Sequence, residues 1–346
     1  MQKLKLISLC YIISLGIAPG SALADPLFES SNTLKITLKA PFSTINYERD
    51  KSRLYSGQVL MEDGSEIAAE FQVRGNNRLK KDICKYPPLK LYFTKKDVKD
   101  TEFAKQKELK LVIACKKRYS EHVRVEYLIY RAFSMFTDNS FRVRWLDLTF
   151  QGDKRSRTSP GFFIEQKKRM GKRLELTQVK QNASTLGNLE PGAALLVDLF
   201  QFMIGNTDYS ILKAPEDHDC CHNVKLMTRT TGKKSEKTVS SNSFTPIPYD
   251  FDASGLVNVG YAMPAETIGT RSVKIRKYRG FCKFTSALPD ALEVFRSKRS
   301  ALISLFADDP ILSKSFRTKT TRYLEKFFDI LENEKKLNRS ITSACR

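Results

Sequence analysis

Residues 109–114 (LKLVIA), 120–136 (SEHVRVEYLIYRAFSMF) and 141–150 (FRVRWLDLTF) decide the reading of the fold. The first is an apolar run of strand length, interrupted by one lysine. The third alternates apolar and polar residues, the period of a half-buried strand. Between them Ser120 opens a segment in which Val123, Leu128, Ile129, Ala132, Phe133 and Phe136 share one stripe at helical spacing. Strand, amphipathic helix and strand in this order place one helix against a sheet.

Towards the N-terminus, residues 34–39 and 58–61 are short alternating runs. Asp63-Gly64, between 58–61 and 67–73, predicts a hairpin. Residues 89–93 and 161–166 add further strands. After Gly171 the pattern turns helical. Pro191–Ile204 is apolar nearly all round, which predicts a buried helix ending at Gly205-Asn206. Residues 287–306 and 313–332 read as amphipathic helices. The polar stretch 228–245 reads as a mobile loop between short strands at 223–227 and 246–249, and no internal repeat is visible. The expectation is an α+β chain with two lobes: a β-rich N-lobe with one helix over 25–170 and a mainly helical C-lobe over 171–346. A cleft between lobes is where a ligand would sit.

The first 24 residues read as a cleaved secretory signal. Lys3 and Lys5 precede an apolar stretch from Leu6 to Ala18, and Ala22-Leu23-Ala24 forms a small-residue cleavage site before Asp25. The signal is bacterial in character, so the expected location is periplasmic or secreted. Cys10 falls inside the leader, leaving Cys84, Cys115, Cys220, Cys221, Cys282 and Cys345. An even count in an oxidising compartment points to disulfides. Cys84 and Cys115 each border a strand-like run in the same half and form the preferred pair; Cys220, Cys221 and Cys282 would supply a second link. A zinc site from Cys220, Cys221, His218 and His222 is disfavoured, because adjacent cysteines suit a tetrahedron poorly.

Of the 346 residues 41% are apolar and 28% charged, which excludes a disordered tail, a collagen and a polytopic membrane protein. Lys and Arg number 59 against 38 Asp and Glu, a net charge of +21. A surplus of that size predicts anionic partners or, more plainly, a solvated basic surface. Export argues against DNA, and no zinc-finger, RNA-binding or basic heptad motif is present. No apolar segment beyond the leader is long enough to span a membrane.

Four segments suit phosphate chemistry. Arg74-Gly75-Asn76-Asn77-Arg78 is a basic turn, followed by Lys90 inside the strand PLKLYF (88–93). Glu126 stands at the margin of the helical stripe, where it could pair with Lys90. Asp208, in GNTDYS (205–210), follows the buried helix. Asp250 and Asp252, in YDFDASG (249–255), are two apart and share a face if extended, so they could hold a hard cation. Each also has a plainer reading: an edge-strand lysine, a helix-surface acid, an Asx-turn after a helix stop, and aspartates capping a turn. The order of lysine, helix glutamate, buried helix, aspartate loop, two short strands and metal aspartate is that of phosphoryl-transfer kinases.

On these residues the chain resembles the atypical kinases typified by the spore-coat protein CotH. The similar pieces are RGNNR (74–78), KLYF (90–93), GFFIEQ (161–166), GNTDYS (205–210), HNVKLM (222–227) and YDFDASG (249–255). The resemblance implies a kinase-like fold that binds ATP with Mg2+ or Mn2+. It implies that Lys90 and Arg74 touch phosphates, that Glu126 pairs with Lys90, and that Glu165 lies in the hinge strand beside the base. Asp208 would be the catalytic base, and Asn223 and Asp250, with Asp252, would hold the metal. The implied reaction is phosphoryl or nucleotidyl transfer to a hydroxyl of a protein or envelope polymer. The chain has no G-x-G-x-x-G loop and no H-R-D tripeptide, and Asp208 and Asn223 are about three times further apart than in the kinase catalytic loop. The alternative is a non-catalytic basic protein that binds phosphate-rich envelope polymers. A Ser/His/Asp hydrolase is disfavoured, since His122, His218 and His222 lack a nucleophile-elbow context.

Overall fold

The structure is a computed structural model, and it describes residues 25–153, 155–215, 219–231, 238–239, 243–264 and 268–346. The leader, His218 and much of the 228–245 segment lie outside the described residues.

Alternation builds the first sheet. Its strands are β1 (Leu34–Lys39), β2 (Tyr55–Met61), β3 (Glu66–Val73), β4 (Leu89–Tyr92), β5 (Glu108–Ile113), β6 (Val143–Gln151) and β7 (Ser156–Ile164). In β3, Ile67, Ala69, Phe71 and Val73 are buried while Glu66, Ala68 and Glu70 are exposed. The β2–β3 hairpin turns at Asp63-Gly64, where Gly64 takes a φ of 83°, a left-handed conformation that glycine adopts without steric cost. The strands follow the order β1-β2-β3-β4-β5-β7-β6, and β6 returns to pair in parallel with β1, Leu34 opposite Leu146 and Lys39 opposite Gln151. The sheet is therefore a closed barrel. Its interior is apolar, with Phe71, Leu91, Leu111 and Phe163 fully buried, and the short helices α1 (Pro26–Glu29) and α2 (Phe42–Glu48) add Leu27, Phe28 and Ile45 to the same core.

The helix α3 (Ser120–Phe133) lies on the outside of the barrel. Its Tyr127 meets Trp145 and Phe162 at ring-centroid distances of 5.2 and 5.8 Å. The expected stripe is too narrow: Val125, Tyr127 and Tyr130 are buried as well, because the second half of the chain covers the opposite side of the helix. Phe133 packs edge-on against Phe200 and Tyr130 against Phe251, each at 4.8 Å.

That second half comprises α4 (Lys167–Arg173), β8 (Leu176–Gln178), α5 (Pro191–Ile204), β9 (Val224–Thr231), β10 (Thr238–Val239), β11 (Thr245–Pro248), α6 (Leu288–Ser297), α7 (Arg299–Ala307), α8 (Lys314–Glu332) and α9 (Glu334–Ser340). β9 pairs antiparallel with β8, β10 and β11. α5 has the predicted bounds: the Glu190 carboxylate accepts the Gly192 and Ala193 amides at its start, and Gly205 at φ 66° ends it. The single helix expected over 287–306 is two, α6 and α7, meeting at Lys298.

The expected two-lobed, kinase-like fold is corrected on these grounds. The N-terminal sheet closes on itself into a seven-stranded barrel, the second half carries its own sheet as well as helices, and one core runs unbroken from Val112, Trp145 and Phe162 through α3 to Phe200 and Phe251. The parallel pairing of β1 with β6 is a long-range match that neither segment's alternation encodes.

Cys84 and Cys115 form a disulfide, their Cα atoms 4.8 Å apart. The second expected link is corrected: Cys282 bonds Cys345 at the C-terminus, and Cys220 bonds its neighbour Cys221. No thiolate at 220 or 221 is then left to ligate zinc. Among the described residues no helix is long and apolar enough to cross a membrane.

Candidate functional site

The pleat that packs the barrel also displays a charged row on its outer surface. Gln72, Lys90, Lys110 and Ile164 stand in register across β3, β4, β5 and β7. Lys90 and Lys110 are direct cross-strand neighbours, an arrangement of like charges that destabilises a sheet. This row lines a cavity of about 590 Å³ together with Lys225 of β9 and with Tyr249 and Asp250, which follow β11. There the ammonium groups of Lys110 and Lys225 sit 5.2 and 5.0 Å from the Tyr249 ring centroid. Arg74 lines the cavity from the predicted basic turn. Burial first, then Arg74, with Lys225 and Lys90 adding, pushes the Lys110 ammonium down to about 8. Burial also lowers Lys225.

A carboxylate cluster borders the cavity. Asp250, which lines it, has a φ of 63°, rare for a residue with a side chain, and its amide donates to the Tyr130 hydroxyl at 2.8 Å. Glu126 is 3% exposed, and burial, then Asp252 and Asp250, push its carboxyl well above the usual range, with Arg78 and Arg74 acting in the opposite direction. Asp252 is pushed up to about 6 by burial and by Asp250. It meets Arg78 at 3.5 Å and accepts a hydrogen bond from the Tyr261 hydroxyl at 2.9 Å.

The expected Lys90–Glu126 pair does not form. Lys90 meets Glu108 at 3.5 Å, because β4 and β5 bring those side chains onto one face, while Glu126 faces the Asp250, Asp252 and Arg78 charges. Glu165 lines the cavity, but its carboxylate is held by two Arg173 hydrogen bonds of 3.0 and 2.8 Å and by the Arg142 amide at 3.1 Å. It braces the wall and has little capacity left for a ligand.

Asp208 stands beside this cluster. Its carboxylate bonds His222 Nε2 at 2.7 Å and Asn223 Nδ2 at 3.0 Å, and Asn223 Nδ2 also donates to the Asp208 carbonyl at 2.7 Å. The hydrogen bond to Asp208 raises the His222 pKa above its ordinary value. The Asn223 carbonyl accepts the Tyr249 amide at 3.0 Å, which ties this group to the strand leading into Asp250. Arg279 donates to the Thr207 and Tyr209 carbonyls and pins the loop from behind. Sequence reasoning missed His222 as the partner of Asp208, and Lys110 and Lys225 as partners of Lys90. For the two lysines, an outward position beside an inward apolar one was the available signal; His222 sits in an irregular turn and gave none.

Among the described residues no group of three or more His, Cys, Asp or Glu could hold a metal ion. Asp252 is engaged by Arg78 and Tyr261, and the Asn223 amide by Asp208, so the expected Asp250, Asp252 and Asn223 do not make a protein-only cage. Mg2+, however, usually keeps several waters and takes one or two carboxylates together with substrate phosphates. Asp250, at the cavity wall, fits that lesser demand.

Compared with known proteins, the chain matches no protein-family model and no curated sequence.

Proposed function

We propose that the basic cavity binds a nucleoside triphosphate with Mg2+ or Mn2+ and that the chain passes its terminal phosphoryl group to a hydroxyl of a protein or envelope polymer. The observation that carries this reading is the convergence of Arg74, Lys90, Lys110 and Lys225 on one cavity, where burial first and the neighbouring cations second lower the Lys110 pKa to about 8. Lys110, repelled by Arg74, Lys225 and Lys90, gains charge-assisted bonds together with them when a polyphosphate enters.

Lys90, Lys110, Lys225 and Arg74 hold the phosphate oxygens in this reading, and Asp250 holds the divalent cation, whose chemistry is to neutralise charge between phosphates. Each Asp208 oxygen keeps a lone pair beyond those used by His222 and Asn223. The acceptor hydroxyl donates to one of these, and its oxygen forms the new bond to phosphorus. The bond from phosphorus to the bridging oxygen breaks, the nucleoside diphosphate leaves with that electron pair, and the hydroxyl proton passes to Asp208. His222 and Asn223 fix the carboxylate in the required orientation. The local site supports this reading; the barrel fold does not enter it.

Calorimetry with ATP and Mg2+ or Mn2+, followed by a phosphate-transfer assay, tests the proposal. Asp250→Ala is expected to abolish metal-dependent binding, and Asp208→Ala to leave binding intact and remove transfer. Lys90→Ala is expected to weaken the nucleotide by about 1.5–3 kcal/mol. No heat of nucleotide binding in the parent ends the reading. A second reading, non-catalytic binding of phosphate-rich polymers, is favoured by the charge of +21. It predicts that all three variants bind anionic polymer like the parent, with affinity falling steeply as salt rises.

A further inference from the structure

A second cavity, of about 570 Å³, opens between α8 and residues 255–258, 274 and 276. Among the described residues its lining contains Lys274, Lys319, Arg322 and Lys326 and no carboxylate. Lys319, Arg322 and Lys326 are spaced by three and four along α8, so they share one helical face, where like charges repel. None of the four has an ion-pair partner among the described residues. A fifth cation, Arg276, is occupied in the wall itself: it donates to the Met203 and Tyr323 carbonyls and stacks over the Tyr323 ring at 3.7 Å.

The frame behind these charges is rigid. The amides of Gly255 and Leu256 donate to the carbonyls of Gly205 and Ile204 at 3.0 and 2.9 Å, which fastens the wall to the end of α5. Tyr323 packs so closely on Gly205 and Gly255 that a Cβ at either would strike its hydroxyl. At the α3 side, His122 lines the cavity, and its Nδ1 is buried with no hydrogen-bond partner among the described residues.

We propose that this cavity is a second anion site, distinct from the cleft beside Asp250, that takes a phosphate-bearing ligand. Four unneutralised cations around a fixed wall supply charge-assisted donors in several directions, as a group with several phosphate oxygens requires. Among the described residues its lining carries no carboxylate, unlike the first cavity, where Asp250, Glu108 and Glu165 accompany the cations. The same chemistry is offered by a free polyphosphate and by a phospholipid headgroup, and the two differ in what must be presented to the protein.

The test uses the full chain with Lys90→Ala and Lys110→Met, so that the first cavity is weakened, and the Lys319 and Arg322 reversals report on this cavity whether or not the nucleotide reading holds. Inorganic triphosphate without divalent metal is titrated by calorimetry, and vesicles containing phosphatidylglycerol by co-sedimentation. Binding of either probe is expected, and adding Lys319→Glu and Arg322→Glu is expected to weaken it by about 10- to 100-fold, the scale of one or two charge-assisted contacts. The same reversal at the exposed Lys95 and Lys96 is expected to change it by less than about 3-fold. Triphosphate binding assigns a free ligand, and binding by vesicles alone assigns a headgroup. Binding by neither probe, or equal losses from the two reversals, overturns the proposal.

Discussion

Strands β3, β4, β5 and β7 carry two cross-strand rows one residue apart, and the rows have opposite character. Val73, Leu89, Leu111 and Phe163 point into the barrel and are at most 2% exposed. Gln72, Lys90, Lys110 and Ile164 point outwards, with two lysines opposed. One backbone ladder supports both. The inner row gains from burial and dispersion contacts. In the outer row the opposed lysines cost stability, a cost that the Lys90–Glu108 pair offsets in part. The pleat lets the same strands carry an apolar core row and a charged outer row one residue apart.

The contrast breaks most readily from inside. Phe71→Ala is expected to cost about 3–5 kcal/mol in urea unfolding, while nucleotide affinity per folded molecule stays the same. A cost below that of any outer-row variant would erase the distinction. A smaller effect is expected from replacing both Cys84 and Cys115 by Ser. That disulfide closes a loop that contains β4 and β5 and is worth about 3 kcal/mol. Because it fastens the segment after Arg74 to the end of β5, thermal melts should fall and nucleotide binding should weaken together. Binding that survives unchanged would show the basic turn to be held without it.

Lys110→Met sharpens the comparison with the smallest change in stability. Removing one of two opposed lysines is expected to stabilise the fold by up to about 1 kcal/mol while weakening nucleotide by about 1.5–3 kcal/mol. The pH dependence has a definite sign. The Lys110 ammonium loses its proton near 8 in the folded chain and at its ordinary 10.5 in the unfolded one. Below about 8 both states are charged, and burial first and the neighbouring cations second count fully against the folded state. Between about 8 and 10.5 the unfolded chain carries the extra proton, so stability rises with pH across that window. Urea titrations at stepped pH should show this rise in the parent and lose it in Lys110→Met. Nucleotide affinity moves the other way, falling as Lys110 is neutralised.

The strands were legible wherever one face meets a core, as at Ile67, Ala69, Phe71 and Val73. So were α5, from its uniform apolarity and Gly205, and α8, from its stripe. Closure of the barrel was not, because β1 and β6 are brought together by the path of everything between them. The burial of Glu126 was illegible for a related reason. A helix covered on both sides has no solvent face to mark, and a carboxylate at the edge of its apolar stripe then looks ordinary. Asp208, Asp250 and the basic turn were singled out from local residue chemistry; the structure places Arg74 and Asp250 on one cavity and Asp208 within electrostatic reach of Asp252. Their partners were misassigned where strand register decided the matter, as it did for Lys90.

The parallel closure of the barrel also bears on how the chain survives its own synthesis. β1 can pair with β2 early, but its other edge has no partner until residues 146–151 have emerged. During that interval it is an open strand, the kind of template on which nascent chains aggregate. Lys35 and Lys39 point away from the core along this strand and remain exposed in the finished protein. Charge on the outward face of an open strand is of the kind that disfavours pairing with a foreign strand, and in the finished barrel Lys35 lies opposite Asp147 of the native partner strand.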